Sequence, residues 1–535
     1  MDGSAGAGFF DASGGEGGPD AGVALGEVDA SLVGDAGADA SSHADGSAAD
    51  AAWGDAGPAC FDGCGPEGRV ECVGTDDDRI CADEDGDGCL EWSAPRSCRS
   101  AACERGVCGG ASLFARTYQV HVLDGPRSVE ATADEGMIVA GRTSYSKAWL
   151  LKLTSAGAIQ WQKSLASPDS AEASFSSVAQ AANGGYCAVG TARMNLPWLD
   201  ELLVAKFASN GDLEWARSIG GGGEDRGSSV LPTPEGGWLV AGQTASFGLC
   251  GPSGCPGTHF DLWVLKLSAI GDIEWQLTFG GDGDEEDARL VRTDQGDHYL
   301  YGNTTSFAPG GLGMLVLRIA AQGQVTWQRA YGPTYVSGEA LRQTATGNVL
   351  VAGFAGEIFS FAPTGALLWQ KSYFLAPFVS GSNRYLRSLR AFPSGGFVAL
   401  GTTECCGADP LVHLWALGGA DDGSVLWSRT YAGPYRDSAQ ALAIGSNEEL
   451  LLAGTTQASP PASVAAWILR ASPEGALSGA CGPGVGASSS TQEQDLTSIQ
   501  VAVPSVTVLV SSASSVIANL TISDTATQTQ DQCTP

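Results

Sequence analysis

DLWVLKLSAIGDIEWQLTFGG, residues 261–281, holds two apolar runs with a period of two, joined by a turn at Gly271 and closed by a glycine pair. Runs of five to seven residues on either side of a Gly-Asp turn are the pattern of two antiparallel strands. The phrase recurs along the chain. Aligned on the turn glycine, the copies are SAGAIQW (Gly157), SNGDLEW (Gly211), AIGDIEW (Gly271), AQGQVTW (Gly323), PTGALLW (Gly365), DDGSVLW (Gly423) and PEGALSG (Gly475), spaced by 54, 60, 52, 42, 58 and 52 residues. A second series, VAG or a variant, ends at Gly141, Gly190, Gly242, Gly302, Gly353, Gly401 and Gly454, in step with the first.

Within the third unit the order is SSVLPT, a PEGG turn, WLVAGQT, a long loop, DLWVLKL, the SAIGD turn and IEWQLTF. Four short strands in a unit of about 52 residues are too long for one coil of a solenoid and fit a propeller blade, whose sheet buries both faces against its neighbours. Trp161, Trp215, Trp275, Trp327, Trp369 and Trp427 then fall on the fourth strand as apolar contacts between blades. The seventh unit lacks this tryptophan. Its missing strand is supplied from upstream, because FARTY in LFARTYQV (residues 113–120) matches WSRTY at 427–431, with Phe114 in the tryptophan's place. The expectation is an all-β, seven-bladed propeller in which residues 113–120 pair with AAWILR (465–470) and remove two exposed sheet edges.

These units resemble those of secreted bacterial β-propeller repeat proteins of the SBBP type, written D-G-G-x-x-V-A-G-x-T, then W-V-L-K-L-x-x-x-G-x-I-x-W. The resemblance covers 112–478 and speaks to fold far more than to function. Blade five departs from it: EIFSFAPTG lacks the base that Lys152, Lys206, Lys266 and Arg318 provide elsewhere. Those bases alternate with apolar neighbours and are expected at solvated or sheet-paired positions.

Outside the repeats three further segments are expected. Residues 1–57 carry 11 acids and no Lys or Arg among Gly, Ala and Ser, too little apolar surface to offset the entropy of ordering, and read as a disordered spacer. Residues 58–110 hold eight of the 15 cysteines and read as a small disulfide module. An acidic spacer before a Cys-rich module resembles the mature N-terminus of bacterial surface lipoproteins, myxobacterial ones especially, which implies an extracytoplasmic location. No export signal or membrane-spanning apolar run is present in the sequence as given, so a start upstream or a clipped leader is expected. Residues 479–535 are Ser/Thr/Val-rich, and their alternation suits two or three strands that are not a blade.

The formal charge of −32 divides into 23 acids against 5 Arg over 1–110 and 37 acids against 23 bases beyond. Nucleic acid and anionic lipid are poor partners for such a surface. CADEDGDGCLEW sets Asp83, Asp85 and Asp87 at the spacing of a Ca2+ loop, with Glu91 at the ninth position and Ala94 where a bidentate Glu belongs. Two readings stay open there, calcium and a plain acidic turn. Cys250 and Cys255 are expected to bridge a protruding loop, Cys481 to pair with Cys533, and Cys187 on its strand to be a buried thiol. Cys405 and Cys406 are adjacent and could bridge each other or pair elsewhere.

The five histidines make no metal-type pair, and no nucleophile elbow, P-loop or HExxH occurs. Candidate ligand residues cluster instead on the face carrying the long loops after strands two and four: Glu224, Asp225, Asp282, Asp284 and Asp287, with Arg384 and Arg387 in the loop entering blade six, and aromatics including Tyr335 and Tyr435. A polarised, aromatic mouth suits a glycan, a peptide or a cell-surface protein. The expected function is therefore non-catalytic binding or surface scaffolding by a monomer. The alternative is a propeller hydrolase or lyase acting on an extracellular polymer, which requires carboxylates, or carboxylates with a histidine, to converge at the mouth.

Overall fold

The computed structural model describes residues 113–477 except for parts of the longer loops, together with the backbone of six short strands between 70 and 108 and of seven between 487 and 531. All of these lie in one of two compact units, Cys60–Pro535. The described residues contain no helix, and so none long and apolar enough to cross a membrane.

Seven antiparallel sheets follow one another, headed by the inner strands Gly125–Ala131, Ser170–Gln180, Asp225–Pro232, Glu285–Arg292, Val336–Gln343, Arg384–Ala391 and Asp437–Ile444. These are blades one to seven of a β-propeller. Phe114–Val122 completes blade seven, with Ala466 opposite Tyr118, Ile468 opposite Arg116 and Arg470 opposite Phe114. Phe114 is 2% exposed. Apolar clusters fill the seams between blades seven and one, one and two, two and three, three and four, four to six, and six and seven. The core is thus a ring of seams, because each sheet is apolar on both faces and finds cover only in its neighbours.

The recurring phrase is explained at these seams. Each turn glycine adopts the left-handed backbone, φ 86° at Gly271, which only glycine enters without strain. Each also lies against a ring of the preceding blade: a Cβ on Gly211 would come 2.8 Å from Trp161, on Gly271 2.9 Å from Trp215, on Gly423 3.0 Å from Trp369 and on Gly475 2.9 Å from Trp427. The indole nitrogens of Trp161, Trp215, Trp327 and Trp369 donate to Ser209, Ala269, Pro363 and Asp421 in those same turns, at 2.9–3.1 Å. Where a tyrosine follows four residues later, its hydroxyl caps the turn: Tyr331 to Gly365, Tyr373 to Gly423 and Tyr431 to Gly475, at 2.7–2.8 Å. Phe114 and Tyr118 make the same contacts with Gly157, so the ring is shut by the device used at its other seams.

The bases of the third strands are paired within their blades. Lys152 meets Asp134 at 2.8 Å, Lys206 meets Glu214 at 2.8 Å, Lys266 meets Glu274 at 3.2 Å and Arg318 meets Asp297 at 2.9 Å. Burial raises the Asp134 carboxyl, yet the hydrogen bonds and charge of Lys152 and the Thr132 hydroxyl outweigh it and hold the group at about 2. Arg470 is the blade-seven member. It pairs with Glu449 and donates to the carbonyls of Glu135 and Ser155 in blade one, at 2.8 and 3.0 Å. Cys187 is a buried free thiol, its ionisation opposed by burial.

The tail differs from the expected two or three strands. Seven short strands, Ala487–Ser488, Thr491–Asp495, Gln500–Ala502, Thr507–Val510, Ser514–Ile517, Thr521–Asp524 and Gln528–Asp531, pair antiparallel with the outer strands of blades six, five, four, three, two, one and seven in turn. The tail is a belt that visits every blade. Strands successively twisted by about 20–25° leave a blade's fourth strand turned by roughly 60–75° from its inner strand, so the outer edge runs mostly along the circumference and the belt can pass from edge to edge without reversing.

Candidate ligand-binding face

Strand direction sorts the ring into two faces. The start of each inner strand, the end of the second and the start of the third share the long-loop face; the end of each inner strand lies at the short-turn face. Asp225 and Glu285 therefore head their inner strands at the long-loop face, and both are fully buried. Asp225 accepts from the hydroxyls of Thr244 and Ser246 and from the Gly221 amide at 2.9 Å. Glu285 repeats the arrangement with Thr304 at 2.6 Å and the Gly281 amide at 2.9 Å. The segments T-A-S-F (244–247) and T-T-S-F (304–307) are the legible half of this clasp. Burial, with a contribution from the charge of Glu201, pushes Asp225 to about 6 against those hydrogen bonds; burial likewise raises Glu285.

The other acidic residues are placed variously. Asp282 is exposed. Asp284 accepts from the Phe260 amide at 3.0 Å and lies 3.3 Å from His259 Nδ1. Asp287 sits inside an inner strand in the left-handed conformation, φ 59°, at a break in register, and accepts from Asn303 at 3.1 Å. Glu224 pairs with Arg226 at 2.6 Å. Arg384 and Arg387 belong to the inner strand of blade six and not to the loop before it, because the backbone pairs with the second strand from Arg384 opposite Thr403 onward, with a bulge at Arg387. Glu91 opens the short strand Glu91–Trp92. Tyr335, Tyr435, Asp83, Asp85, Asp87, Cys250, Cys255, Cys405, Cys406, Cys481 and Cys533 lie outside the described residues.

Among the described residues, two grooves open on this face. Between blades six and seven, a groove of about 350 Å3 is lined by Tyr385, Arg387, Thr402, Arg436, Asp437 and Gln457, among others. Thr402 accepts from the Ala439 amide at 2.9 Å and ties the two blades at its floor. Asp437 occupies the position of Asp225 and Glu285, and His413 of blade six, also buried, stands 3.4 Å from it. The second groove, about 180 Å3 across blades one to three, contains Arg127, Arg142, Arg193 and Arg226 with Glu172 and Asp200. Asp200 is gripped by Arg193 and Arg226, each at 2.8 Å, and although burial raises its carboxyl, the two guanidiniums hold it below the ordinary range. Sequence reading missed Arg436 and this second cluster, since single arginines at strand ends acquire meaning only when adjacent blades bring them together.

No family model matches the chain, and no curated protein matches it. Solved structures similar to it include BamB from Moraxella catarrhalis, 15% identical over 64% of this chain and 82% of that one, with a TM-score of 0.33. A puromycin hydrolase is 15% identical over 62% of this chain and 50% of its own, with a TM-score of 0.40. Sqt1 from Chaetomium thermophilum is 10% identical over 71% and 90%, with a TM-score of 0.39.

Proposed function

We propose that this propeller is a non-catalytic binding or surface-scaffold protein working outside the cytoplasm, and that it takes its ligand in the groove between blades six and seven. The observation that carries the reading is the pairing of Arg387 and Arg436 with Tyr385 around one opening. Guanidinium forks match carboxylates in two-point contacts, and a phenol offers a flat face to a sugar or a peptide chain. An acidic glycan or an acidic peptide fits this chemistry. The crowded cysteines of 60–108 and the acidic leader support the extracytoplasmic setting.

The experiment is binding of polygalacturonate and of poly-glutamate to the full chain. Arg387→Ala with Arg436→Ala should weaken binding at least about tenfold, the scale of a lost charge-assisted contact. Equal binding by the double variant, or binding of neutral glycans only, would overturn the reading. A hydrolase reading rests on the His413–Asp437 pair, since a carboxylate-oriented imidazole is the usual general base. It requires the polymer to be cut by the wild type and left intact by His413→Gln.

A further inference from the structure

Six of the seven inner strands line a single cavity of about 200 Å3, which places it on the axis of the ring. Its charged lining is four arginines and one carboxylate: Arg289 and Arg292 from blade four, Arg342 from blade five, Arg390 from blade six and Glu130 from blade one. In a chain of net charge −32 such a gathering of one sign is against the trend of the molecule. Like charges drawn together beside a weakly polar wall repel, and a bound anion relieves them.

The arginines are held in place before any ligand arrives. Arg342 donates to the Leu341 carbonyl at 2.6 Å; Arg390 donates to the Leu389 carbonyl at 3.2 Å and to Ser388 Oγ at 3.3 Å; Arg289 donates to the Ser228 carbonyl. A bridge between Glu339 and Ser388 joins the inner strands of blades five and six in parallel, and Arg342 and Arg390 lie three and two residues beyond it. Arg390 also reaches Glu130 at 3.3 Å, from blade six to blade one past blade seven, whose inner strand presents the small Ala441 and Ala443. The Nε of Arg289 is buried without a hydrogen-bond partner among the described residues. Arg292, Arg342, Arg390 and Glu130 all stand near the ends of their strands, and so toward the short-turn face, away from the groove of Arg387 and Arg436.

We propose that this axial cavity is a second binding site, for a small multivalent oxyanion of the phosphate class, entered from the short-turn face. Four guanidiniums around a volume equal to about six or seven liquid waters suit a compact anion with oxygens on several sides. The choice of arginine throughout, with no lysine, matches planar two-point recognition.

Calorimetric titration of the full chain with pyrophosphate tests it. The wild type should bind, with affinity falling as NaCl rises. Arg342→Gln with Arg390→Gln should weaken binding at least about tenfold, Arg342→Lys should weaken it less, and Arg387→Ala in the long-loop groove should leave it unchanged. Circular dichroism confirms that each variant is folded. Lack of pyrophosphate binding by the wild type at low salt, undiminished binding by the folded double variant, or binding of citrate in place of pyrophosphate would each overturn the proposal.

Discussion

At Gly271 one atom decides whether two blades can meet. A methyl group there would stand 2.9 Å from the Trp215 ring on a backbone of φ 86°. Gly271→Ala should cost about 2 kcal/mol or more, from left-handed strain plus overpacking, read as a fall in melting temperature. Glu135, φ 61°, occupies the turn position that is Gly184, Gly236, Gly296 and Gly347 in blades two to five. Glu135→Gly should therefore gain about 0.5–1 kcal/mol. Glu448, φ 64°, is a different case, because its carboxylate holds Ser394 of blade six by two hydrogen bonds at 2.7 and 2.8 Å that glycine would lose.

The clasp carboxylates make stability depend on pH in the less usual direction. Asp225 sits at about 6 in the folded protein, above its ordinary 3.8, and Glu285 is raised as well. Between those values the native state holds more protons than the unfolded one, so the contribution of Asp225 is complete below pH 4 and is lost as pH rises through 6. The melting temperature should thus drop between pH 5 and pH 7.5, and the drop should shrink in Asp225→Asn with Glu285→Gln. An unchanged pH profile in that variant would assign the effect elsewhere.

Among the elements, Phe114–Val122 carries the closure. It supplies a fourth strand, a ring against Gly157 and a hydroxyl to the same turn, all to one seam. Removing residues 1–110 should leave a folded propeller, whereas removing 1–122 should expose the third strand of blade seven and the apolar face of blade one. The expected readout is a soluble monomer in the first case, and aggregation or a large fall in melting temperature in the second. Phe114→Ala should cost about 3–5 kcal/mol as a large core truncation. Equal behaviour of the two truncations would mean that the seam is held by other contacts.

Over the whole molecule the belt governs association. Its last five strands begin at 500, 507, 514, 521 and 528, a step of seven residues per blade. Seven extended residues span at most about 23–25 Å, enough for a short strand and a link to the next edge. The backbone register sets Asp524 opposite Lys163, Asp495 opposite Lys371 and Asp531 opposite Arg116. Truncation after residue 477 should uncover seven sheet edges and give self-association in sedimentation experiments, with the blades still folded. The belt begins on blade six and ends on blade seven, which are neighbours, so a bridge between Cys481 and Cys533 would close it into a hoop. A non-reducing peptide map should recover that pair, and reduction should lower the melting temperature.

Blade number, strand order and the closing segment were legible in the sequence because each rests on local chemistry repeated along the chain: a left-handed glycine in seven turns, a tryptophan four residues on in six of them, an apolar period of two. Of the two positions open to the third-strand bases, solvated or sheet-paired, Lys152 and Lys206 are buried, and all four pair within their blade with acids in a turn or on the fourth strand. What the sequence could not convey depends on residues far apart in the chain. Asp225 and Glu285 look like loop carboxylates until the fold turns them inward onto Thr244 and Thr304. Arg342, Arg390 and Glu130 are unremarkable one at a time, and only closure of the ring brings blades one, five and six to a common axis. The tail's strands are too short to recognise alone, since three or four residues become a strand only when an existing edge offers them a hydrogen-bonding partner.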